Sequence, residues 1–409
     1  MQPGGTPLFA ERGERLTTAV AGGALVLSVA LGVRQTFGLF LAPISGSHVI
    51  SLSLLAFSLA IQNLIWGIVQ PLAGSLSDRY GPTKVIAGGA LLYGVGLGAV
   101  ALHPSNLTVF FGLGVLVGIG LSGTTFAVVI SAVSRAASDK RRATATALAA
   151  AGGSLGQVAL VPVAQIAISL SGYQRALIVL ALLALIIVPA GVLLRSRSAR
   201  TPETTTTRAG SSWPAIWTAL TDRNYLFLSA GFFACGFQLA FIAIHLPTYL
   251  SLCHVAPGVG AASLSAIGFF NIIGTYGFGK MMDRVPPHRL LAALYVLRST
   301  AILAFVSVPP TAATTLAFAA VMGLAWLGTV PLTNGVISRL YGVSNLGALF
   351  GACFLSHQVG SFLGAWLGAL ALQQTGSYAI MWIAMIAVGY GSASINLFIR
   401  MKAVAVVPA

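Results

Sequence analysis

Gly74-Ser-Leu-Ser-Asp78-Arg79-Tyr-Gly81-Pro-Thr-Lys84 is a short polar stretch set between two long apolar runs. Its three charged side chains stand out in a chain of 409 residues that is 57% hydrophobic and only 7% charged. A soluble globular domain has about a quarter of its residues charged, so the flanking runs read as membrane spans and the stretch as the connection between them. The stretch also returns later, in shorter form, as Gly279-Lys280-Met-Met-Asp283-Arg284, followed by Pro286, Pro287, His288 and Arg289. The two Asp–Arg pairs are 205 positions apart (283 − 78). A second marker repeats at nearly the same offset: a lone arginine ends a later apolar run in each half, Arg135 and then Arg339, 204 positions apart (339 − 135). Two markers at one offset imply a duplicated unit.

Working outward at about 20 apolar residues per span, the sequence predicts twelve membrane helices. They lie near 17–43, 49–76, 84–102, 106–134, 143–170, 173–195, 224–252, 258–282, 289–308, 311–339, 345–373 and 376–400. One connection is long and polar, residues 196–223, with a threonine run at Thr204–Thr207 and basic Arg197, Arg200 and Arg208, just after Arg195. The expected organisation is an N-terminal six-helix bundle over 1–195, a cytoplasmic linker over 196–223 and a C-terminal six-helix bundle over 224–409. The fold class is therefore an all-α membrane protein, twelve transmembrane helices in two pseudo-symmetric bundles. Duplicated halves of this kind are the pattern of alternating-access transporters.

The formal net charge of +15 invites a nucleic-acid reading, but the positions of the charges oppose it. With the N-terminus inside, 19 of the 22 Lys and Arg fall at cytoplasmic helix ends, the exceptions being Arg34, Arg175 and Arg298. That is the positive-inside bias, and it predicts an inner-membrane protein with both termini cytoplasmic. The polar start, Met1 to Leu16, leads into an apolar run too long for a signal-peptide core, so it is read as preceding a retained first span. The three cysteines, Cys235, Cys253 and Cys353, lie in or beside apolar runs without metal-ligand spacing, and read as packing residues. No G-x-x-x-x-G-K-[ST] loop cradles a nucleotide phosphate, and no cofactor is expected.

The stretch Gly74 to Lys84 resembles the signature of the major facilitator superfamily, G-x-L-x-D-R-x-G-x-x-K, at the connection between spans two and three. Gly74, Asp78, Arg79, Gly81 and Lys84 carry the match. With twelve spans and a second, degenerate copy, the resemblance covers the whole chain and implies the major facilitator fold. It also implies a gating role: Asp78 would meet the positive end of the eleventh helix, with Arg135 holding it, as a latch on the cytoplasmic side. Asp283, Arg284 and Arg339 are the corresponding set in the second half.

A narrower resemblance runs through Gly32-Val-Arg34-Gln-Thr-Phe-Gly38 in span one and Arg141-Arg142-Ala-Thr-Ala-Thr-Ala-Leu-Ala-Ala-Ala-Gly152-Gly153-Ser-Leu-Gly156 entering span five. Both are similar to bacterial members of the monocarboxylate porter group, related to oxalate/formate exchangers. The chain departs from that pattern in span eight, where Asn271 and Thr275 stand at positions that carry charge in many members. His357 stands where oxalate exchangers place a basic residue in span eleven.

All seven acidic residues lie outside the apolar runs, yet Arg34 and Arg298 lie inside them. An unpaired guanidinium at bilayer depth costs roughly 2.5–3.5 kcal/mol on insertion scales. A chain that accepts this without a nearby carboxylate is built to meet a negative charge from outside. Arg34, about 25 Å along span one at 1.5 Å per residue, is the leading candidate. Arg298 is the second candidate, with snorkelling or helix bracing as its other reading. Histidine is the side chain whose ordinary charge change falls near neutral pH, so His357 could bind an anion or carry a coupling proton; it could also be a packing histidine. Glycines 360, 364 and 368, C-terminal to it in span eleven, offer a smooth face for close helix contact. Gln62, Asn63, Gln157, Gln238 and Asn271 supply orienting amides, or helix–helix hydrogen bonds. Tyr276, Trp326 and Phe37 are candidate pocket walls, and His245 is expected at the outer interface.

The function expected from these residues is transport of a small organic anion, a monocarboxylate on the resemblance, by rocking two halves around a central cavity. The partners are that anion, the bilayer and a coupling proton, with a monomeric protein. An exporter of neutral or apolar compounds is the alternative, and a transporter-like sensor without flux a further one. No nucleophile or metal cluster points to an enzyme.

Overall fold

The computed structural model describes residues 7–47, 49–194, 213–342 and 346–401. The linker expected at 196–223 lies outside the described residues as far as 212. By contact the chain divides into two compact units, Met1–Arg200 and Thr201–Ala409.

In the first unit, span one is Leu16–Ser45, span two Leu52–Tyr80, span three Pro82–Leu102 and span four Asn106–Ala136. A single apolar helical stretch follows, Thr144–Val192, of 49 residues. A bilayer core needs about 20, so this length must fold back. It does so at Gly172, whose φ of +79° lies in the left-handed region that glycine alone enters without strain. Spans five and six lie on either side, close to the predicted division. The second unit holds span seven, Arg223–Leu252; eight, Pro257–Met281; nine, Pro287–Val306; ten, Ala312–Tyr341; eleven, Leu346–Thr375; and twelve, Ala379–Leu397. A short helix, Trp213–Thr221, precedes span seven.

Lipid offers apolar side chains no less than another helix does, so close backbone approach must hold these bundles together. In the first unit span one lies against span five: a Cβ added at Gly152 would strike Ala24, and one at Gly156 would strike the Ser28 carbonyl. In the second unit span seven lies against span eleven: a Cβ at Gly236 would strike the His357 carbonyl, and Cβ atoms at Gly360 and Gly364 would strike the carbonyls of Phe233 and Phe237. Gly156 and Gly360 are 204 positions apart and their partners Ser28 and Phe233 are 205 apart, so the duplication reaches the packing contacts themselves. Because the obstructing atoms are backbone, Gly156→Ala cannot be absorbed by a rotamer change. Overpacking of this kind costs about 1–3 kcal/mol. A lowered thermal midpoint is expected by fluorescence-detected size exclusion, and an unchanged midpoint would show that spans one and five can separate freely.

Two spans are not continuous helices. Span four runs through a π-helical segment, Val109–Leu116, and breaks at Thr125, whose backbone is extended. Span ten stops at Leu324 and restarts at Thr329. Breaks free backbone groups that lipid cannot satisfy, and the polar side chains of neighbouring spans take them up.

Candidate functional site

Arg34 sits in the last turn before a kink in span one, where the helix Pro7–Gln35 gives way to Phe37–Ser45. The Thr36 hydroxyl donates to Val33 O at 2.7 Å, completing the turn there. Arg34 Nη2 donates to Asn63 Oδ1 at 2.5 Å. Asn63 is itself oriented, its Nδ2 donating to Leu59 O at 2.8 Å, which turns its oxygen toward the guanidinium. The guanidinium carbon lies 5.0 Å from the centre of the Trp66 ring, a cation–π contact of about 0.5–2 kcal/mol. Trp66 is locked in turn: its indole N–H donates to Thr125 Oγ1 at 2.9 Å, and Ser122 Oγ donates to Trp66 O at 3.1 Å. Tyr93 lies beside Arg34 and donates to Ala30 O at 3.1 Å. Arg34 itself is half-buried, its Nε has no partner, and no carboxylate touches it among the described residues. The Nε2 of the neighbouring, buried Gln35 is also without a partner. The result is a fixed cation, oriented by neutral groups, with donors still unspent.

The other amides are engaged with backbone. Gln62 Nε2 donates to Leu113 O at 2.7 Å, a carbonyl in the π-helical turn of span four. Asn271 Oδ1 accepts from Leu327 N at 2.9 Å, inside the break of span ten, and from Thr275 Oγ1 at 3.0 Å. Gln238 Nε2 donates to Met385 O at 2.9 Å, tying span seven to span twelve. Gln157 is 5% exposed in span five.

Arg298 differs sharply from Arg34. It is 0% exposed, and its Nη2 donates to Ala325 O at 2.5 Å and Trp326 O at 3.0 Å. Those carbonyls end the first half of span ten, where a helix carries about half a negative charge. Its Nη1 reaches Gln238 Oε1 at 3.4 Å. Cys235 completes the set, with Sγ 3.3 Å from Thr329 Oγ1. Arg298, Asn271 and Cys235, from three different spans, therefore clamp one irregular segment of a fourth.

The duplication explains this pattern. Trp66 and Asn271 are 205 positions apart, and each bonds the break of its own unit. Tyr93 and Arg298 are also 205 apart, and Arg34 and Gln238 are 204 apart. Each unit thus places a cation next to a neutral polar group at equivalent depths, but the cation sits on span one in the first unit and on span nine in the second.

His357 is half-buried between Phe232 and Phe354, with ring centres 4.9 and 5.5 Å away. Its Nδ1 lies 3.0 Å from Gln358 Oε1, and Cys235 hydrogen-bonds the same imidazole. His245, expected at the outer interface, is 0% exposed. Its Nε2 donates to Ala365 O at 2.7 Å, which leaves Nδ1 to accept from the Tyr378 hydroxyl at 3.0 Å. It fits there because Gly368 has no Cβ to fill the same space. Tyr276 is 66% exposed and lies over Lys280 Nζ at 5.1 Å, while Phe37 and Trp326 are buried.

At the positions expected to gate, Arg135 Nη1 pairs with Asp78 Oδ1 at 2.8 Å, with side chains 43% and 68% exposed. Solvent screening at such exposure leaves the pair about 0–1 kcal/mol. In the second unit Arg339 Nη2 instead donates to Met282 O at 3.1 Å, the residue next to Asp283. Asp283 and Arg284 are exposed. Among the described residues no group of His, Cys, Asp or Glu gathers to hold a metal ion.

Trp66, Thr125 and Tyr93 were not singled out by sequence reasoning. The usable signal was Trp66 on the face of Gln62 and Asn63, four and three residues along a helix.

Twelve apolar spans in two matched six-helix units, broken at the same place in each, define the fold of a membrane transporter. The chain belongs to the Major Facilitator Superfamily, whose family profile matches residues 21–365. It is 26% identical over 358 residues to the uncharacterised MFS-type transporter YcxA of Bacillus subtilis, covering 85% of this chain and 86% of the relative. It is 24% identical over 357 residues to monocarboxylate transporter 13 of Rattus norvegicus (87% and 82% covered) and 27% identical over 342 residues to monocarboxylate transporter 11 of Mus musculus (80% and 74%). In structure it is similar to a bacterial homolog of the human lysosomal transporter Spinster, inward-facing and occupied, with a TM-score of 0.68, 13% identity and 93% of each chain covered.

Proposed function

We propose that this protein is a secondary transporter of a small organic anion, a monocarboxylate, in the inner membrane, with both termini cytoplasmic. The observation that carries the reading is Arg34: a guanidinium at bilayer depth, oriented by Asn63 and Trp66, with its Nε unspent and no carboxylate against it. The monocarboxylate transporters among its relatives support the substrate class. Arg34 receives the carboxylate and Asn63 sets the orientation of the fork. Gln62 and Gln157 frame that site by fixing spans two and five of the first unit, while Gln238, Asn271 and Arg298 fix spans of the second unit and Tyr276 lies toward one helix end. His357, a half-buried imidazole, is the group that couples transport to a proton. The Asp78–Arg135 pair and the Arg339–Met282 tie are gating contacts, weak enough to break in each cycle. The protein works as a monomer and carries its substrate unchanged.

The test is a thermal-shift panel on purified protein in detergent, with mono- and dicarboxylates alongside neutral drugs. A ligand at 100 times its Kd stabilises the native state by about 2.7 kcal/mol. Stabilisation by a monocarboxylate is expected. Stabilisation by neutral apolar compounds alone would overturn the reading in favour of an exporter.

A further inference from the structure

The transport reading gives Cys235 no role, yet its thiol joins His357 to the break of span ten. Cys235 sits midway along span seven, 0% exposed, where that span meets span eleven backbone to backbone: a Cβ on the adjacent Gly236 would strike the His357 carbonyl. On one side the thiol hydrogen-bonds the His357 side chain. On the other, its Sγ lies 3.3 Å from Thr329 Oγ1. Thr329, also 0% exposed, opens the second half of span ten, directly after the break whose carbonyls Arg298 holds. A continuous chain of imidazole, thiol and hydroxyl therefore runs from span eleven through span seven to that break.

Such a chain has a direction. A hydroxyl and a thiol each have one hydrogen to donate, and a neutral imidazole keeps one nitrogen as an acceptor; a protonated one has two N–H groups and accepts nothing. With His357 neutral, the thiol can donate to the ring while Sγ accepts from the Thr329 hydroxyl. With His357 charged, the ring only donates. Gln358 Oε1 already stands 3.0 Å from Nδ1 to accept on that side, and the thiol must become the acceptor toward the ring. Its S–H then turns to Thr329, whose hydroxyl stops donating to sulfur and needs another acceptor. A buried donor that loses its acceptor is destabilising, so protonation on span eleven loosens the start of the second half of span ten.

Few charged or titratable groups face this chain from the elements packed on it. Span nine brings Arg298 and Tyr295, both within electrostatic reach of Cys235. Span eleven itself carries Cys353, one turn before His357. Span ten carries Arg339 and Tyr341 at its far end, and the short helix Trp213–Thr221 carries none. The other titratable groups of span seven lie ten or more residues from Cys235 (235 − 225). Tyr378 and Tyr390 of span twelve are engaged with His245 and Thr300. None of these is a carboxylate, which leaves the imidazole as the proton-accepting end of the chain.

We propose that Cys235 is a positioning residue of proton coupling: it passes the protonation state of His357 to the break of span ten by reversing the hydrogen-bond chain His357–Cys235–Thr329. This role rests on His357 being the coupling group, and it names the part of the bundle that responds.

Hydrogen–deuterium exchange of the full chain in detergent, without ligand, reads the break directly. Protection of the segment from Leu324 to Thr329, corrected for the intrinsic rate at each pH, is expected to fall about fivefold or more between about pH 8 and pH 5, the range in which an unperturbed histidine changes charge. Cys235→Ser, which keeps a donor and an acceptor, should retain the dependence. Cys235→Ala should abolish it, and so should Thr329→Val, which keeps the side-chain shape and serves if the alanine variant folds poorly. His357→Gln separates the relay from the residue that starts it. Protection that is flat with pH in the parent, or a dependence lost in His357→Gln but kept in Cys235→Ala and Thr329→Val, overturns the relay and leaves the coupling role of His357 standing. A dependence kept in His357→Gln overturns both. Carboxylate binding at Arg34 is read by the ligand panel and is untouched by either result.

Discussion

Arg34→Gln abolishes carboxylate transport in reconstituted vesicles while the purified protein keeps its fold. Removing one partner of a desolvated, hydrogen-bonded charge pair costs about 2–5 kcal/mol, which corresponds to a loss of about 30-fold or more at tenfold per 1.4 kcal/mol. The glutamine is too short to span from span one to Asn63 Oδ1, now reached at 2.5 Å, and it carries no charge to stack on Trp66. Stability moves the other way. The guanidinium is an uncompensated cation whose insertion costs roughly 2.5–3.5 kcal/mol, and the bond to Asn63 recovers only part of that. The thermal midpoint without ligand is therefore expected to be equal to or above that of the parent, and the stabilisation by monocarboxylate to vanish. Arg34→Lys separates charge from geometry: a point charge without the planar fork retains partial transport with a raised KM. Full transport by the glutamine variant would remove Arg34 from the site.

How far the sequence alone foretold this arrangement depends on whether the deciding interaction was local. Span number followed from apolar length, and the fold-back at Gly172 fell in the predicted gap because 49 apolar residues exceed one bilayer crossing. The duplication was visible in Asp78 and Asp283, and it extends to Gly156 and Gly360, which touch equivalent backbone. Arg34 stood out because a charge in an apolar run is conspicuous by itself. The amides could not be sorted the same way. Gln62 looked like Asn63, its neighbour, but one bonds the Leu113 carbonyl in a π-helical turn and the other faces Arg34. That distinction depends on a neighbouring helix departing from regular geometry, and neither span four nor span ten announces its break with a charge. His245 was misplaced for a related reason: its burial depends on the missing Cβ of Gly368, more than 100 residues away. Depth ranked Arg34 above Arg298 and left helix bracing open for the latter, but only the structure shows that Arg298 is sealed against helix-end carbonyls while Arg34 is not.

That difference makes the second large effect the opposite of the first. Arg298→Met, close in length but uncharged, is expected to destabilise the protein. It deletes the charge-assisted bonds to Ala325 O and Trp326 O, each worth about 1.5–3 kcal/mol, and leaves two buried carbonyls at the end of a helix with nothing to accept from. Against this stands the relief of burying a cation, roughly 2.5–3.5 kcal/mol on insertion scales. Two lost bonds together outweigh one relieved charge, because the charge is already partly met by the helix end while the carbonyls have no substitute donor. A thermal midpoint several degrees below the parent is expected, together with faster protease cleavage between Leu324 and Thr329. Asn271→Leu frees Leu327 N, the next link of the same segment, so the two substitutions should not add. Once either has loosened the break, the other has less left to lose, and a double-mutant cycle should return a coupling of about 0.5–3 kcal/mol. Strict additivity, or a methionine variant as stable as the parent, would mean that the break of span ten is held by its own helix ends and that Arg298 is available for another role.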